Sequence, residues 1–270
     1  MSLSPHAKGT EQAQPETVAL FVSDLHLTAA MPKTAAAFFS FLRKTASKAG
    51  ALYLLGDIFE YWAGDDDLGD PFNRQVVDAI AELSAQGIAV FWMAGNRDFL
   101  VGERFAHACG LTLLSDPTLV TLTGQRILLV HGDAQCTDDT AYMQFRQQVR
   151  SAQWQQQFLQ QTLAQRKAII ASLREGSRDA QRGKSMDIMD VNPQAIDALF
   201  ASHAVKIMIH GHTHRPHTHL CQSAAGPRTR YVLPDWDCDT RNHAARGGWL
   251  ALDARGQFSF HHAGEVLPSI

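Results

Sequence analysis

Five short apolar runs in this sequence each end in residues able to hold a metal or a phosphate. The run "VALFV" (18–22) leads into Asp24 and His26, "ALYLL" (51–55) into Asp57, and "IAVFWMA" (88–94) into Asn96 and Arg97. Later, "QRILLV" (125–130) leads into His131, and "VKIMI" (205–209) into His212 and His214. Runs of this length and composition read as buried strands. Between the first three lie two helical patterns, "KTAAAFFSFLRKTASKAG" and "NRQVVDAIAELSAQG", with Gly50 and Gly87 placed as stops. Strand alternating with helix predicts an α/β fold with parallel strands. The carboxyl ends of such strands line one crevice, so side chains scattered from Asp24 to His214 should converge there.

The residue types define the chemistry of that crevice. In Asp24-x-His26 and His212-x-His214, the spacing of two aims both side chains to one side of an extended segment. Gly56, Gly95 and Gly211 flank the candidates where the chain must turn sharply, and their lack of a side chain gives a phosphate room to approach. Asp24, His26, Asp57, Asn96, His131, His212 and His214 are more ligands than one ion uses. Two divalent cations about 3.5–4 Å apart, sharing a bridging carboxylate, would clamp the attacking and leaving oxygens of an in-line phosphoryl displacement. Imidazole with carboxylate and amide oxygen, without thiolate, favours manganese, iron or zinc over an all-oxygen magnesium site, and manganese is the expected metal. In "MIHGHTHRPHTHL" (208–220), His210 is expected to be a structural strand residue, and His217 and His219 have no assigned role.

Composition narrows the partners. The 270 residues can bury about three quarters of the unfolded surface. A net charge of -3 offers no overall attraction to nucleic acid, and no nucleic-acid or obligate protein partner is expected. The charge is uneven: from Tyr142 to Asp190 eight Lys/Arg face four Asp/Glu, a net of +4, which leaves -7 for the rest. The four cysteines form no C-x-x-C pair and the N-terminus lacks a secretory pattern, so a cytoplasmic enzyme is expected. No apolar stretch reaches the roughly 18 residues of a spanning helix, leaving only peripheral membrane contact.

Residues 1–16 read as a flexible tail ahead of a domain over 17–265, which a polar, Gln-rich helical insert interrupts at about 138–190. Asn192 and Pro193 suit the cap and first turn of a helix after that insert. "RTRYVLPDW", "GWLALD" and "GQFSF" read as antiparallel strands. Within the insert, Phe145, Val149, Trp154, Phe158, Leu159 and Leu163 recur at helical spacings beside eight basic residues: Arg146, Arg150, Arg166, Lys167, Arg174, Arg178, Arg182 and Lys184. One reading is a cap over an amphiphilic phosphorylated substrate that touches an anionic membrane; the other is a helical pair packed on the core with solvated charges.

From about Val18 to Phe260 these motifs resemble the calcineurin-like metallophosphoesterase superfamily. The resemblance implies a β-sandwich flanked by helices. It also implies Asp24, His26 and His214 on one metal, Asn96, His131 and His212 on the other, and Asp57 as the bridge. The superfamily commonly has histidine where this chain has Arg97. A guanidinium cannot hand over a proton, but it can grip phosphate. A phosphate leaving group needs no general acid, so Arg97 favours a pyrophosphate bond over a nuclease substrate.

"SDLHL", "LGDIFEYWAGDD", "GNRDFL", "VHGDAQCTDD" and "IHGHTHRP" together resemble the UDP-2,3-diacylglucosamine pyrophosphohydrolase family of lipid A biosynthesis. That resemblance implies a helical lid in the insert and a peripheral place at the cytoplasmic face of the inner membrane. It implies attack of metal-activated water on the α-phosphorus of UDP-2,3-diacylglucosamine, releasing UMP and 2,3-diacylglucosamine 1-phosphate. The implied catalytic set is Asp57, Asn96, Arg97 and His212. Asn96, Arg97 and His212 would meet the phosphate, Asp139 the nucleotide or sugar, and Ser177, Gln181 and Lys184 the glucosamine and diphosphate. Trp154 and Phe158 are expected to line acyl-chain grooves. The alternatives are a soluble nucleotide pyrophosphatase, a phosphodiesterase of the same superfamily, and a noncatalytic scaffold on the same fold.

Overall fold

Two sheets face one another across a layer of apolar side chains, and helices cover their outer faces. The computed structural model describes residues 16–182, 190–223, 226–240 and 244–265. In chain order it contains β1 (Thr17–Val22), α1 (Pro32–Lys44), β2 (Ala51–Leu55), α2 (Pro71–Ala85), β3 (Ala89–Met93), α3 (Glu103–Cys109), β4 (Thr112–Leu114), β5 (Thr118–Leu122) and β6 (Gln125–Leu129). Next come α4 (Thr140–Val149), α5 (Ala152–Leu159), α6 (Leu163–Arg182) and α7 (Pro193–His203). The chain closes with β7 (Ile207–His210), β8 (His217–Ser223), β9 (Gly226–Val232), β10 (Gly248–Asp253) and β11 (Phe258–His262). The first sheet has the order β11-β10-β1-β2-β3-β4 and the second β5-β6-β7-β9-β8.

The apolar runs are continuous because the strands are buried on both faces. In β6, Ile127 and Leu129 join Phe21, Tyr53, Leu55, Met93 and Ile209 between the sheets. Leu128 and Val130 turn the other way and pack with Ile196, Phe200 and Met208 under α7. The outer face of the first sheet carries Leu52, Leu54 and Trp92 into contact with Phe38, Phe41, Val76, Ile80 and Phe105 of α1, α2 and α3. The expected helix-flanked sandwich is therefore present.

Several boundaries differ from the sequence reading. α1 stops at Lys44, because Gly50 donates its backbone N–H to Thr17 O at 3.0 Å and belongs to the strand edge. α2 begins at Pro71, with the Asp70 carboxylate accepting from Phe72 N and Asn73 N at 2.9 and 3.3 Å. "RTRYVLPDW" is not antiparallel to "GWLALD". β9 lies parallel to β7 and antiparallel to β8, whereas β10 and β11 pair beside β1 in the other sheet. Asn192 caps α7 as expected, accepting from Gln194 N and Ala195 N. All four cysteines are free thiols, and among the described residues no helix is long and apolar enough to cross a membrane.

The insert forms α4, α5 and α6, anchored to the first sheet by charge as well as by packing. Arg166, only 1% exposed, donates to Ala63 O and to Gln161 O and pairs with Asp66. Lys167 Nζ lies 2.7 Å from Asp67 Oδ1. Phe158 stacks on Trp154 at 4.6 Å and is buried in the outer core. That burial corrects the expectation that Phe158 lines a groove: it is spent on docking α5. Arg166→Ala strips the buried Ala63 carbonyl of its donor and leaves a hole. We expect it to cost about 2–4 kcal/mol, read from urea unfolding; a change under about 0.5 kcal/mol, the size of a neutral surface substitution, would mean the anchor is not used.

Candidate metal centre

The residues leaving the strands are held in a backbone conformation that side chains normally avoid. Among the described residues seven non-glycine positions have positive φ, and five of them are ligand candidates: Asp24 (53°), His26 (48°), Asp57 (54°), His212 (67°) and His214 (53°). Left-handed backbone at such residues costs roughly 1–3 kcal/mol each and persists only where the surroundings impose it. Here the strand-end loops brace one another. Asp24 N donates to Gly56 O at 3.0 Å, His26 N to Asp57 O at 2.9 Å, and Gly211 N to His131 O at 2.9 Å. His212 N donates to Asp24 Oδ2 at 2.8 Å. Gly56, at φ 90°, makes the expected turn, but Gly95 and Gly211 have a different cause from the one read in the sequence. A Cβ on Gly95 would strike the Asp57 carboxylate and one on Gly211 that of Asp24, so both glycines make room for protein carboxylates.

Two donor groups result. Asp24, His26 and His214 form one and Asp57, His131 and His212 the other, with the ligand atoms of each group within 4.8 Å of one another. In the first, His26 Nε2 and His214 Nε2 lie 3.2 Å apart, and Asp24 Oδ1 is 3.5 Å from His214 Nε2. Asp24 Oδ1 is buried and accepts no hydrogen bond among the described residues. In the second, His131 Nε2 is 3.0 Å from Asn96 Oδ1 and 3.7 Å from Asp57 Oδ1. His131 Nδ1 donates to Leu55 O at 2.8 Å, which turns Nε2 and its lone pair toward the group. Burial alone would lower the His131 pKa, but Asp57, Asp133 and Asp24 outweigh it and push it up to about 9. A field that draws a proton onto a buried imidazole draws a cation more strongly. Converging nitrogen lone pairs, an unsatisfied carboxylate oxygen and an excess of buried negative charge fit a pair of divalent cations.

Residues 18–216, which enclose all seven candidates, match the calcineurin-like phosphoesterase family. A protein of Aromatoleum aromaticum named UDP-2,3-diacylglucosamine hydrolase is 49% identical over 221 residues, covering 82% of this chain and 90% of its own. Proteins of the same name from Bordetella pertussis and Stenotrophomonas maltophilia are 48% and 45% identical over 238 and 244 residues. They cover 87% and 88% of this chain, and 91% and 95% of theirs. The chain belongs to the UDP-2,3-diacylglucosamine hydrolase family of calcineurin-like phosphoesterases.

In this phosphoesterase the side chains around the two groups account for features the sequence reading passed over. Asp98, fully buried, accepts from Gly95 N and Ile58 N at 2.8 Å and from Asp57 N and Phe59 N at 3.3 and 3.4 Å. It thereby ties the Asp57 loop to the Asn96 loop. Burial, and then the charge of Asp57, shift its pKa upward. Arg97 donates its backbone N–H to Asp57 Oδ1 at 2.8 Å. Its Nε is buried and has no hydrogen-bond partner among the described residues.

Buried Asp133 accepts from Tyr142 Oη at 2.7 Å and Arg146 Nε at 2.8 Å. Arg150 donates to Gly95 O at 2.8 Å, and Glu60 joins His26 Nδ1, at 3.0 Å, to Arg174 of α6. Glu60, Asp98 and Asp133 stand inside "LGDIFEYWAGDD", "GNRDFL" and "VHGDAQCTDD", so position within a motif was the available signal; Tyr142 carries none.

The basic residues of the insert also need revision. Arg146, Arg150, Arg166, Lys167 and Arg174 all turn inward to carboxylates or carbonyls of the body, so they are neither a solvated face nor an outward array for anionic lipid. Asp139 caps α4, accepting from Tyr142 N at 3.1 Å. Ser177 and Gln181 lie on α6, with side chains outside the described residues, as is the whole of Lys184.

Proposed function

We propose that this phosphoesterase hydrolyses the pyrophosphate bond of UDP-2,3-diacylglucosamine to 2,3-diacylglucosamine 1-phosphate and UMP in lipid A biosynthesis. The observation that carries this reading is Arg97, whose buried Nε has no partner among the described residues and lies beside two donor groups suited to cations. Relatives bearing that hydrolase name, alike over most of their length, supply the substrate.

Asp24, His26 and His214 would hold one cation and Asn96, His131 and His212 the other, with Asp57 shared between them. Two divalent cations, manganese in our reading, supply Lewis acidity and bring the pKa of water toward 7. The chain's own residues do the rest. Arg97 grips the diphosphate and stabilises charge on the departing phosphate. Water oxygen bonds to the α-phosphorus, the anhydride P–O bond breaks, and the sugar phosphate leaves with the electron pair without needing a proton donor. Asn96 and His212 orient the phosphate, Asp98 keeps the Asp57 and Asn96 loops in register, and Asp139, Ser177, Gln181 and Lys184 contact the glucosamine, nucleotide or diphosphate.

Residues α4 to α6 act as the lid. Their exposed apolar side chains, Phe145, Leu159 and Leu173, meet acyl chains and the surface of the inner membrane from its cytoplasmic side.

Hydrolysis in ¹⁸O-water with manganese tests the reading by phosphorus NMR. Label is expected in UMP; label in the sugar phosphate would overturn the direction of attack. The diacyl substrate should be cleaved on the order of 100-fold faster than a UDP-sugar without acyl chains, at subsaturating concentrations. Equal rates would point to a soluble nucleotide pyrophosphatase instead.

A further inference from the structure

His210, His217 and His219 remain once the ligand candidates are assigned, and the structure gathers them around one arginine. A cavity of about 360 Å³ opens at the carboxyl ends of β7 and β9, with Asp190, Thr213, Arg215, His217, His219 and Arg230 in its wall. Thr213 lies between His212 and His214, so the cavity shares a wall with the candidate metal centre.

Arg230 is half-buried, and its guanidinium donates to His210 Nε2 at 2.9 Å. His210 is fully buried and its Nδ1 lies 2.8 Å from Gly211 O. A carbonyl only accepts and a guanidinium only donates, so Nδ1 carries the proton, Nε2 accepts, and the ring is neutral. The Arg230 charge is therefore oriented but not neutralised. Asp190, the carboxylate in the cavity wall, is engaged by Arg215 at 2.5 Å, and among the described residues Arg230 forms no ion pair. Beside it the rings of His217 and His219 meet edge to face at 4.7 Å.

We infer that this cavity seats the uridine of the nucleotide half of the substrate. The inference rests on the function proposed above. Its geometric basis is the division of the crevice between the sheets. α5 and α6 of the lid dock on loops of the first sheet, through Glu60, Asp66, Asp67 and Phe99, and α4 spans the crevice beside His131, through Gly95 and Asp133. The cavity belongs to the second sheet, on the far side of the His212–His214 loop. A diphosphate whose acylated sugar lies under the lid must send its nucleoside the other way. The cavity is within the roughly 300–1,000 Å³ range of small-ligand sites. The Arg230 guanidinium can donate to one uracil carbonyl oxygen, Asp190 can accept from the neighbouring ring N–H, and the imidazole rings offer flat faces for stacking.

Calorimetric titration of the manganese-loaded full chain with UMP and, separately, ribose 5-phosphate reads the base contribution directly. Wild type should bind UMP at least about tenfold more tightly than ribose 5-phosphate, since one well-made recognition contact is worth about 1.4 kcal/mol or more. Arg230→Ala and His219→Ala should each bring the two affinities to within about threefold. Arg230→Ala also unpairs buried His210; if that variant does not fold, His219→Ala carries the test. Equal affinities in wild type, or a ratio unchanged in the folded variants, would overturn the assignment. The binding ratio is independent of lipid hydrolysis. Failure to cleave UDP-2,3-diacylglucosamine with the UMP preference intact would sink the proposed function and leave the cavity standing as a uridine site.

Discussion

Asp57→Ala is expected to lower turnover by about 10³ or more, because losing the carboxylate we propose to be shared by two cations would remove several kcal/mol of charge stabilisation and each 1.4 kcal/mol is tenfold. The same variant makes a second, independent prediction. Asp57 is buried beside His131, in a field to which Asp24 and Asp133 also contribute. Without a cation these negative charges repel one another, and relief of that repulsion offsets the acceptor lost to Arg97 N–H and the charge lost beside His131, so the metal-free variant should melt within a few degrees of metal-free wild type. What should vanish is the gain on adding manganese. A ligand at about 100 times its Kd stabilises a folded protein by about 2.7 kcal/mol. Melting curves with and without manganese, together with elemental analysis, check both halves. Unchanged turnover in this variant would revive the noncatalytic scaffold.

Asp98→Ala should be the most destabilising single change in the crevice. It strands four backbone N–H groups, of Asp57, Ile58, Phe59 and Gly95, in a buried setting. An unsatisfied buried donor costs about 1–3 kcal/mol, and partial relaxation brings the total to about 4–6 kcal/mol. Much of a typical domain's stability would be lost. Asp98→Asn separates positioning from folding: it keeps one acceptor oxygen and the shape, so the protein should fold. Loosening the Asp57 and Asn96 loops should then weaken manganese binding about 10–100-fold. Excess manganese should restore most of the rate. Full affinity in Asp98→Asn would show that the loops hold their register without it.

The ligand candidates were legible because each follows a run of apolar residues that nothing but a buried strand explains. Their convergence needs only the rule that such strands end on one side. The α7 cap was equally plain in Asn192-Pro193. β8 was not, because it is an edge strand whose residues include a Leu220 that is 78% exposed, and no alternation survives in "HTHLCQS". The short α3 and β4 gave too few residues for a period to develop. The arginines of the insert were visible as charges, but Glu60 and Asp66, the partners of Arg174 and Arg166, stand far away in the chain. A local pattern carries the sign of a side chain and not its destination. The same limit hid the Arg230–His210 pair, whose members meet only because β9 lies beside β7.

The carboxylates of Asp57 and Asp24 occupy the space where Gly95 and Gly211 would otherwise carry a methyl group. Inheritance of this centre therefore depends on two positions that bind nothing. One added carbon at either would leave every candidate ligand in the sequence and still push the Asp57 or Asp24 carboxylate out of place. Among distant descendants of this fold, a tally of conserved ligands can pass a dead enzyme as a living one, and the glycines are where the difference would be written.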